Sequence, residues 1–259
     1  MDFFLGTHMP SWFTKVDIPL FVSHRRLSDR KRFDRARGPW ALDSGGFTEL
    51  SMFGEWRTPR AEYVEAVRRY MDAIGSMLWA APQDWMCEPF MLERTGLTVA
   101  EHQARTVENF LQLADEAPDV PFVPVLQGWA LDDYFRCIDR YAANGVDLLS
   151  FDTVGLGSVC RRQSDAEIAQ VISHLSVTGI RLHGFGVKGS GIRQYGWMLR
   201  SADSMAWSYR GRRIKPCPHG TAESCANCLP HALAWRDRAL SNMGGSVQLS
   251  LDTVPRVQR

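Results

Sequence analysis

The chain has 259 residues, 45% hydrophobic and 23% charged, which suits a globular protein with a large buried core. Its net charge of +1 excludes bulk attraction to nucleic acid, so any contact with a polyanion must come from local basic patches. No apolar run approaches the ~18 residues that span a bilayer, and the N-terminus lacks a signal peptide's basic start, so we expect a soluble cytoplasmic protein with no membrane partner.

Short apolar runs alternate with amphipathic stretches along most of the chain, a pattern typical of βα units around a parallel sheet. The runs predict eight strands, at residues 3–5, 19–23, 40–42, 77–80, 122–126, 148–151, 181–185 and 204–206. Helical spacing predicts helices at 60–74, 99–114, 132–143, 165–175 and 192–199. Eight units favour an α/β fold of the (β/α)8 TIM barrel class over residues 1–213, with the active site at the C-terminal ends of the strands.

Basic residues cluster in two stretches. Residues 25–37 hold seven basic and two acidic side chains in a loop between the second and third predicted strands. Four more basic residues lie between 210 and 215, close behind the eighth predicted strand. Either stretch could be a solvated surface, or it could contact phosphates, in which case binding would weaken steeply with salt.

An acid stands where the third predicted strand stops. Asp43 is followed by Ser44, two glycines and Phe47, so a flat ligand could approach the backbone closely beside an aromatic ring. A solvated turn aspartate would give the same pattern. The other predicted strand ends add polar or glycine residues at one face of the barrel: Asp84, Gln127, the glycines at 155 and 157, His183 and Asp203. We expect this set to be functional, because barrel active sites are built from strand ends.

The cysteines indicate a metal site in a reducing compartment rather than a disulfide framework, because three of the six are scattered and three are clustered. Cys217 and His219 form a Cys-x-His pair, and Cys225 and Cys228 a Cys-x-x-Cys pair, the ligands that tetrahedral zinc prefers. His231 is a rival fourth ligand. Three thiolates leave no open position, so we expect structural zinc, held by a segment at 214–245 that packs on the barrel, with a loose tail at 246–259.

These motifs resemble the guanine transglycosylase superfamily, barrel enzymes that exchange guanine in nucleic acid for a 7-deazaguanine base. Residues 43–47 match its Asp-Ser-Gly-Gly-aromatic signature, and residues 202–204 resemble its nucleophile segment. The strand end at 125–128, the glycine turns at 154–157 and 183–186, and the following cysteine-rich zinc site also agree. The resemblance covers roughly residues 1 to 240.

The resemblance implies a role for each matched residue. Asp203 would be the nucleophile that holds the sugar covalently, and Asp43 the general acid and base for the exchanged purine. Asp84 and Gln127 would hydrogen-bond the guanine edge, helped by backbone groups near Gly157. Phe47 and His183 would sandwich the base. Two carboxylates suffice for this chemistry and no redox cofactor is needed.

The chain also departs from the tRNA enzymes of the superfamily. It is short, has no C-terminal RNA-binding domain, lacks the Pro-Thr-Arg sequence after the nucleophile, and has His219 where those enzymes have a second cysteine. It looks most like the compact phage and bacterial enzymes that insert a 7-deazaguanine such as preQ0 into DNA, which implies the host cytoplasm if a phage encodes it. DNA is therefore the favoured polymer and tRNA the alternative, with a free 7-deazaguanine base as the second substrate.

Two other functions fit parts of the pattern. A non-catalytic nucleic-acid-binding subunit could use the same barrel, although the presence of both Asp43 and Asp203 favours catalysis. A zinc hydrolase acting on nucleic acid would lose its chemistry on chelation while staying folded, whereas a structural zinc site predicts local unfolding. The sequence is compatible with a homodimer and with accessory proteins as partners.

Overall fold

The computed structural model describes residues 1–160, 162, 165–220 and 222–241, apart from the side chain of residue 165. Its eight strands, in chain order, are β1 (Asp2–Thr7), β2 (Leu20–Ser23), β3 (Trp40–Asp43), β4 (Met77–Ala80), β5 (Val125–Leu126), β6 (Val154–Leu156), β7 (Leu182–Gly184) and β8 (Ser201–Ser204). They form one parallel sheet in the order β4-β3-β2-β1-β8-β7-β6-β5. The sheet therefore brings β8 beside β1, with Asp203 opposite Phe4.

The sheet is curled but not a fully closed barrel, which corrects the predicted (β/α)8 closure. Within the described residues, β4 and β5 share no ladder, and one parallel bridge joins Ala80 to Phe122 ahead of β5. Pro121 and Pro124 flank this bridge and have no backbone N–H to continue a ladder. The Ala80 N–H donates to the Pro121 carbonyl at 3.0 Å, so the two edges still meet.

Nine α-helices are present in the described part of the chain. They are α1 (Gly46–Phe53), α2 (Arg60–Ile74), α3 (Pro89–Thr95), α4 (Val99–Glu116), α5 (Leu131–Ala143), α6 (Asp165–Ser176), α7 (Gly189–Tyr195), α8 (Ala206–Gly211) and α9 (Leu229–Ser241). The strands β1 and β2 are followed by 3-10 turns, Pro10–Thr14 and His24–Arg26, instead of α-helices. None of the described helices combines the length and apolarity needed to cross a membrane.

The sixth predicted strand was placed wrongly. Residues 148–151 are apolar, but Leu148–Ser150 forms a 3-10 turn because the Asp147 carboxylate accepts a hydrogen bond from the Leu149 N–H at 3.0 Å. The strand is Val154–Leu156, whose central Gly155 leaves room for the Phe185 ring: a Cβ there would lie 2.5 Å from Phe185 Cε2. A glycine inside a three-residue strand hides its apolar pattern.

The eighth strand begins three residues and ends two residues before the predicted 204–206, and it contains Asp203 instead of following it. The helix predicted at 192–199 is α7 followed by the 3-10 turn Gly196–Met198. By contrast, α2 and β4 have the bounds that the sequence predicted. The predicted tail at 246–259 and the end of the 214–245 segment lie outside the described residues.

Two apolar layers position the site. The larger packs the helices onto the outside of the sheet, with Trp40 and Trp207 fully buried in it. The smaller fills the inside of the curl and is aromatic, with Phe4, Phe21 and Trp79 as its large members. Side chains at the C-terminal ends of the strands therefore project above a rigid aromatic floor.

Candidate active site and metal cluster

Asp43 ends β3 on a tight glycine turn. Gly45 has φ +83°, a conformation that favours glycine, and its N–H donates to Asp43 Oδ1 at 3.1 Å. The Ser23 hydroxyl, at the paired position of β2, also hydrogen-bonds this carboxylate. Burial nevertheless raises the pKa of Asp43, and the negative charge of Asp203 raises it further. A carboxyl with a raised pKa is suited to proton transfer near neutral pH.

Asp203 lies in β8 with 5% of its surface exposed. The Gly186 N–H donates to Asp203 Oδ1 at 2.8 Å, and His183 Nε2 lies 3.4 Å from the same oxygen. Both contacts are to Oδ1, so they orient the carboxylate. The other carboxylate oxygen, Oδ2, takes part in neither contact. The structure thus brings the two predicted catalytic acids close enough at one end of the sheet for the charge of Asp203 to raise the pKa of Asp43.

His183 is fully buried, so it contributes differently from an open stacking platform. Its Nδ1 is 2.8 Å from Ser201 Oγ, while Nε2 has no hydrogen-bond partner among the described residues. Four aromatic rings surround the imidazole, with centroids 4.7–5.7 Å away: Phe4, Phe21, Trp79 and Phe185. Of these rings, Phe185 is the only one that is half-buried rather than buried. The sandwich role of His183 stays a prediction.

Phe47 opens α1 and belongs to a separate apolar cluster. Its ring centroid is 5.9 Å from that of Phe90, and the cluster includes the buried Leu50, Trp85 and Met91. The Phe47 side chain is half-buried, so part of its ring is available to a ligand. The stacking role of Phe47 stays a prediction, with its ring four residues after Asp43 in the chain.

Asp84 and Gln127 form a buried pair above β4 and β5. Gln127 Nε2 donates to Asp84 Oδ2 at 2.6 Å, and Ser44 Oγ lies 3.5 Å from Asp84 Oδ1. Burial raises the pKa of Asp84 to about 7, against the opposing effect of the Gln127 hydrogen bond, and the charge of Asp43 adds to the rise. The predicted base-reading residues are therefore coupled to the predicted acid Asp43.

Two residues that the sequence did not single out fix the orientation of Gln127. Ser158 Oγ is 2.7 Å from Gln127 Oε1, 2.7 Å from the Cys87 nitrogen and 3.1 Å from Glu88 Oε2. Ser158 has one hydroxyl hydrogen; when it goes to Gln127, Glu88 must be protonated to donate to Ser158. Burial raises the pKa of Glu88, which favours that protonated state.

The signals for these two residues were weak. Ser158 follows the glycine turn, has φ +55° and is 3% exposed, whereas a serine beside glycines is normally a solvated turn residue. Glu88 lies four residues after Asp84 and is 2% exposed. Gly157 is buried beside them, and its carbonyl accepts the Tyr134 hydroxyl at 3.0 Å, so the backbone there is firmly held.

The cysteine cluster converges as predicted. One ligand atom from each of Cys217, His219, Cys225 and Cys228 lies within 4.8 Å of the others, and His219 Nδ1 is 3.4 Å from Cys228 Sγ. His231 is elsewhere, with Nε2 3.2 Å from the Trp207 carbonyl. Three sulfurs and one imidazole nitrogen at this spacing fit a tetrahedral metal ion such as zinc with His219 as fourth ligand.

The cluster packs against α8, the helix that follows the Asp203 strand. The Ser208 hydroxyl donates to the Ala226 carbonyl at 2.7 Å, and the Cys225 N–H donates to the Ile214 carbonyl at 3.2 Å. A Cβ on Gly211 would overlap the Cys225 carbonyl, so the two segments are in direct backbone contact. A metal ion here would hold α8 in place, which is a structural role.

Comparison with known proteins places the whole site in one family. The family model DpdA, described as DeoxyPurine in DNA protein A, matches residues 1–254. No curated protein matches the chain. The match spans the two aspartates, the buried Asp84–Gln127 pair and the cysteine cluster alike. The chain belongs to the DpdA family, whose members are enzymes similar to tRNA-guanine transglycosylases that insert 7-deazaguanine into DNA.

Proposed function

We propose that this protein replaces guanine in DNA with a 7-deazaguanine base, preQ0 or a close analogue, through a covalent aspartyl-glycosyl intermediate. The observation that supports this most directly is the pair of carboxylates at one end of the sheet, half-buried Asp43 and buried Asp203, with the charge of Asp203 raising the pKa of Asp43. Two carboxylates in unlike environments can divide covalent and proton-transfer tasks between them.

In the first half-reaction, Asp203 attacks C1′ of the target nucleotide. The bond from C1′ to the purine nitrogen breaks, an aspartyl-sugar bond forms, and the electron pair leaves on guanine, which takes a proton from Asp43. Asp203 Oδ2 is the attacking atom in this proposal, because Oδ1 accepts the Gly186 N–H and lies 3.4 Å from His183 Nε2. The second half-reaction reverses these steps, with Asp43 taking the proton of the incoming base.

The Asp84–Gln127 pair matches the edge of guanine. One Gln127 Nε2 hydrogen goes to Asp84, which leaves the second to donate to the purine O6. The Asp84 carboxylate accepts the hydrogens of guanine N1 and its amino group. Adenine presents a donor at position 6 and an acceptor at N1, so it is rejected, whereas 7-deazaguanine keeps the guanine edge and is accepted.

Stacking would complete the base site. We propose Phe47 on one face of the purine and the half-buried Phe185 on the other, with the His183 imidazole packed behind Phe185 at 5.0 Å. A purine inside a duplex cannot reach such a site, so the enzyme acts on a flipped or unpaired nucleotide.

Zinc at Cys217, His219, Cys225 and Cys228 would be structural, since three thiolates and an imidazole fill its coordination.

The family match supports DNA over the alternative polymer, tRNA. A non-catalytic subunit would not need a carboxylate whose pKa is raised by a second carboxylate beside it, and a zinc hydrolase would need an open metal position near the aspartates. Neither alternative accounts for the buried pair that matches guanine.

The experiment that tests the proposal incubates the protein with radiolabelled guanine or preQ0 and with single-stranded DNA, duplex DNA or tRNA. Label in DNA alone is expected. Label in tRNA alone would transfer the proposal to the tRNA reaction, and no label in any polymer would refute catalysis.

Variants separate the two carboxylate roles. Asp203→Asn should form no DNA adduct that survives a denaturing gel, whereas Asp43→Asn should keep the fold and lose exchange. An adduct with Asp203→Asn would show that another residue is the nucleophile. Thermal melting of both variants confirms that the fold is retained.

A further inference from the structure

One 3-10 turn connects the active site to the basic surface beside it. The turn His24–Arg26 follows β2 directly and is held by its first residue, His24, which is 7% exposed. His24 Nδ1 is 3.1 Å from the Tyr70 hydroxyl, and its ring packs edge-on against Tyr63 at 5.2 Å. With His24 fixed in the core, the next two side chains, Arg25 and Arg26, have defined directions.

Arg25 lies across the catalytic glycine turn. A Cβ on Gly45 would be 2.8 Å from Arg25 Cγ and 3.2 Å from Cδ, so the arginine stem covers the turn that holds Asp43. The guanidinium is 3.4 Å from Glu49 Oε1, and the other Glu49 oxygen accepts the Arg57 N–H at 2.8 Å. Within the described residues, this one long contact leaves most of the five guanidinium hydrogens without a partner, and 39% of the side chain is exposed.

Arg26 contacts the segment that follows β1. Its Nε donates to His8 Nδ1 at 3.0 Å, so His8 presents its other nitrogen, Nε2, as the donor. Burial and the nearby charges of Arg26 and Arg212 lower the pKa of His8. The segments after β1 and β2 and the end of α8 therefore bring Arg26 and Arg212 close to His8, beside the neighbouring Arg25.

We propose that the turn His24–Arg26 is a phosphate clamp that positions the target nucleotide: Arg25 binds a backbone phosphate flanking that nucleotide, and Arg26 with His8 and Arg212 binds the adjacent phosphate of the same strand. This inference rests on the proposed DNA substrate. A planar guanidinium pairs with two phosphate oxygens at once, which fixes orientation as well as adding affinity. The clamp would hold the sugar still while Asp203 attacks it, and Glu49 would orient Arg25.

The clamp is tested with short single-stranded DNA that contains one guanine, in natural form or with a neutral methylphosphonate replacing one phosphate beside that guanine. Binding is measured by fluorescence anisotropy over a salt series. For Arg25→Ala we expect roughly tenfold weaker binding and a salt slope smaller by about 0.7, the value for one phosphate on a single strand. Arg68→Ala is the matched control, since Arg68 is similarly exposed (45%) and paired with Asp119, but lies on helix α2.

The decisive measurement is the affinity of the Arg25→Ala variant for the methylphosphonate DNA, compared with the effect of each change alone. The methylphosphonate should weaken the wild type by about the same factor as Arg25→Ala and have little further effect on that variant. Arg25→Lys, which keeps the charge, guards against misfolding and should recover part of the lost affinity. Additive losses, or a salt slope equal to that of Arg68→Ala, would overturn the clamp.

The exchange assay separates this inference from the proposed function. If the wild type exchanges guanine but Arg25 and the phosphate do not couple, the clamp is wrong and the function stands. If the phosphate couples to Arg25 without any exchange, the clamp stands and the catalytic proposal fails.

Discussion

Asp84 should make the stability of the protein fall and its affinity for guanine rise with increasing pH, and Asp84→Asn should remove both dependences. Burial raises the pKa of Asp84 from 3.8 to about 7. Between these values the folded protein keeps a proton that the unfolded chain has released, so the free energy of unfolding falls as pH rises from about 4 to 7. A difference of about three pKa units corresponds to about 4 kcal/mol, of which about 3 kcal/mol falls between pH 5 and pH 8.

The assay is urea unfolding of the wild type and Asp84→Asn at pH 5 and pH 8. Asparagine does not titrate, so the wild type should lose about 3 kcal/mol more than the variant between the two values. Asp139→Asn, at an exposed position of α5, is the control and should follow the wild type. Parallel pH profiles for the wild type and Asp84→Asn would refute the reasoning.

Guanine binding supplies the opposing trend. The base donates hydrogens to Asp84, so it needs the ionised carboxylate, and its affinity for the wild type should rise as pH increases through about 7. Asp84→Asn turns an amide N–H towards the base and should weaken guanine binding at least about 100-fold at pH 8. Isothermal titration with free guanine measures both effects. Unchanged affinity in the variant would remove Asp84 from the base site.

Three further predictions concern the support of the site. Ser158→Ala should lower the free energy of unfolding by about 3 kcal/mol, because it leaves the buried Cys87 N–H and Gln127 Oε1 without their partner; Ser158→Gly should recover part of this loss, since φ is +55° there, and urea unfolding compares them. Gly45→Ala should cost about 1–2 kcal/mol and slow guanine exchange, because φ is +83° and the new Cβ meets Arg25; thermal melting and exchange rates check it. Chelation should release one zinc per chain and expose α8 and α9 to limited proteolysis, whereas lost activity with unchanged proteolysis would favour catalytic zinc.

Most of the secondary structure could be predicted because burial and periodicity agree in most elements. The helix α2 has five buried apolar residues at helical spacing, and β4 follows it after a two-residue break. The apolar pattern did not predict the strands correctly where polar or glycine residues of the candidate site lie within a strand. Ser201 and Asp203 interrupt the apolar pattern of β8, yet both are buried, one bonded to His183 and the other to Gly186.

Closure of the sheet could not be read from a count of strands. The eight strands and their order are those of a barrel, but pairing also requires backbone donors along both edges. Prolines at 121 and 124 remove two of them beside β5, which has only two residues. The sheet therefore curls until its edges meet at Ala80 and Phe122 without forming a continuous ladder.

The candidate site shows which part of a function sequence motifs can indicate. Acids at strand ends were visible because their residue type and position are both informative: Asp43, Asp84 and Asp203 all lie at the predicted face. The residues that orient Gln127 were not visible, because Ser158 and Glu88 act only through burial and a shared hydrogen, which depend on tertiary packing. Gln127 links the acids to these supporting residues, because it donates to Asp84 and accepts from Ser158. Ser158 also contacts Glu88, so the orientation of Gln127 depends on Glu88 as well. In the proposed base site, we therefore expect substitution of Glu88 to change guanine recognition although Glu88 itself need not touch the base, and isothermal titration with free guanine measures the change.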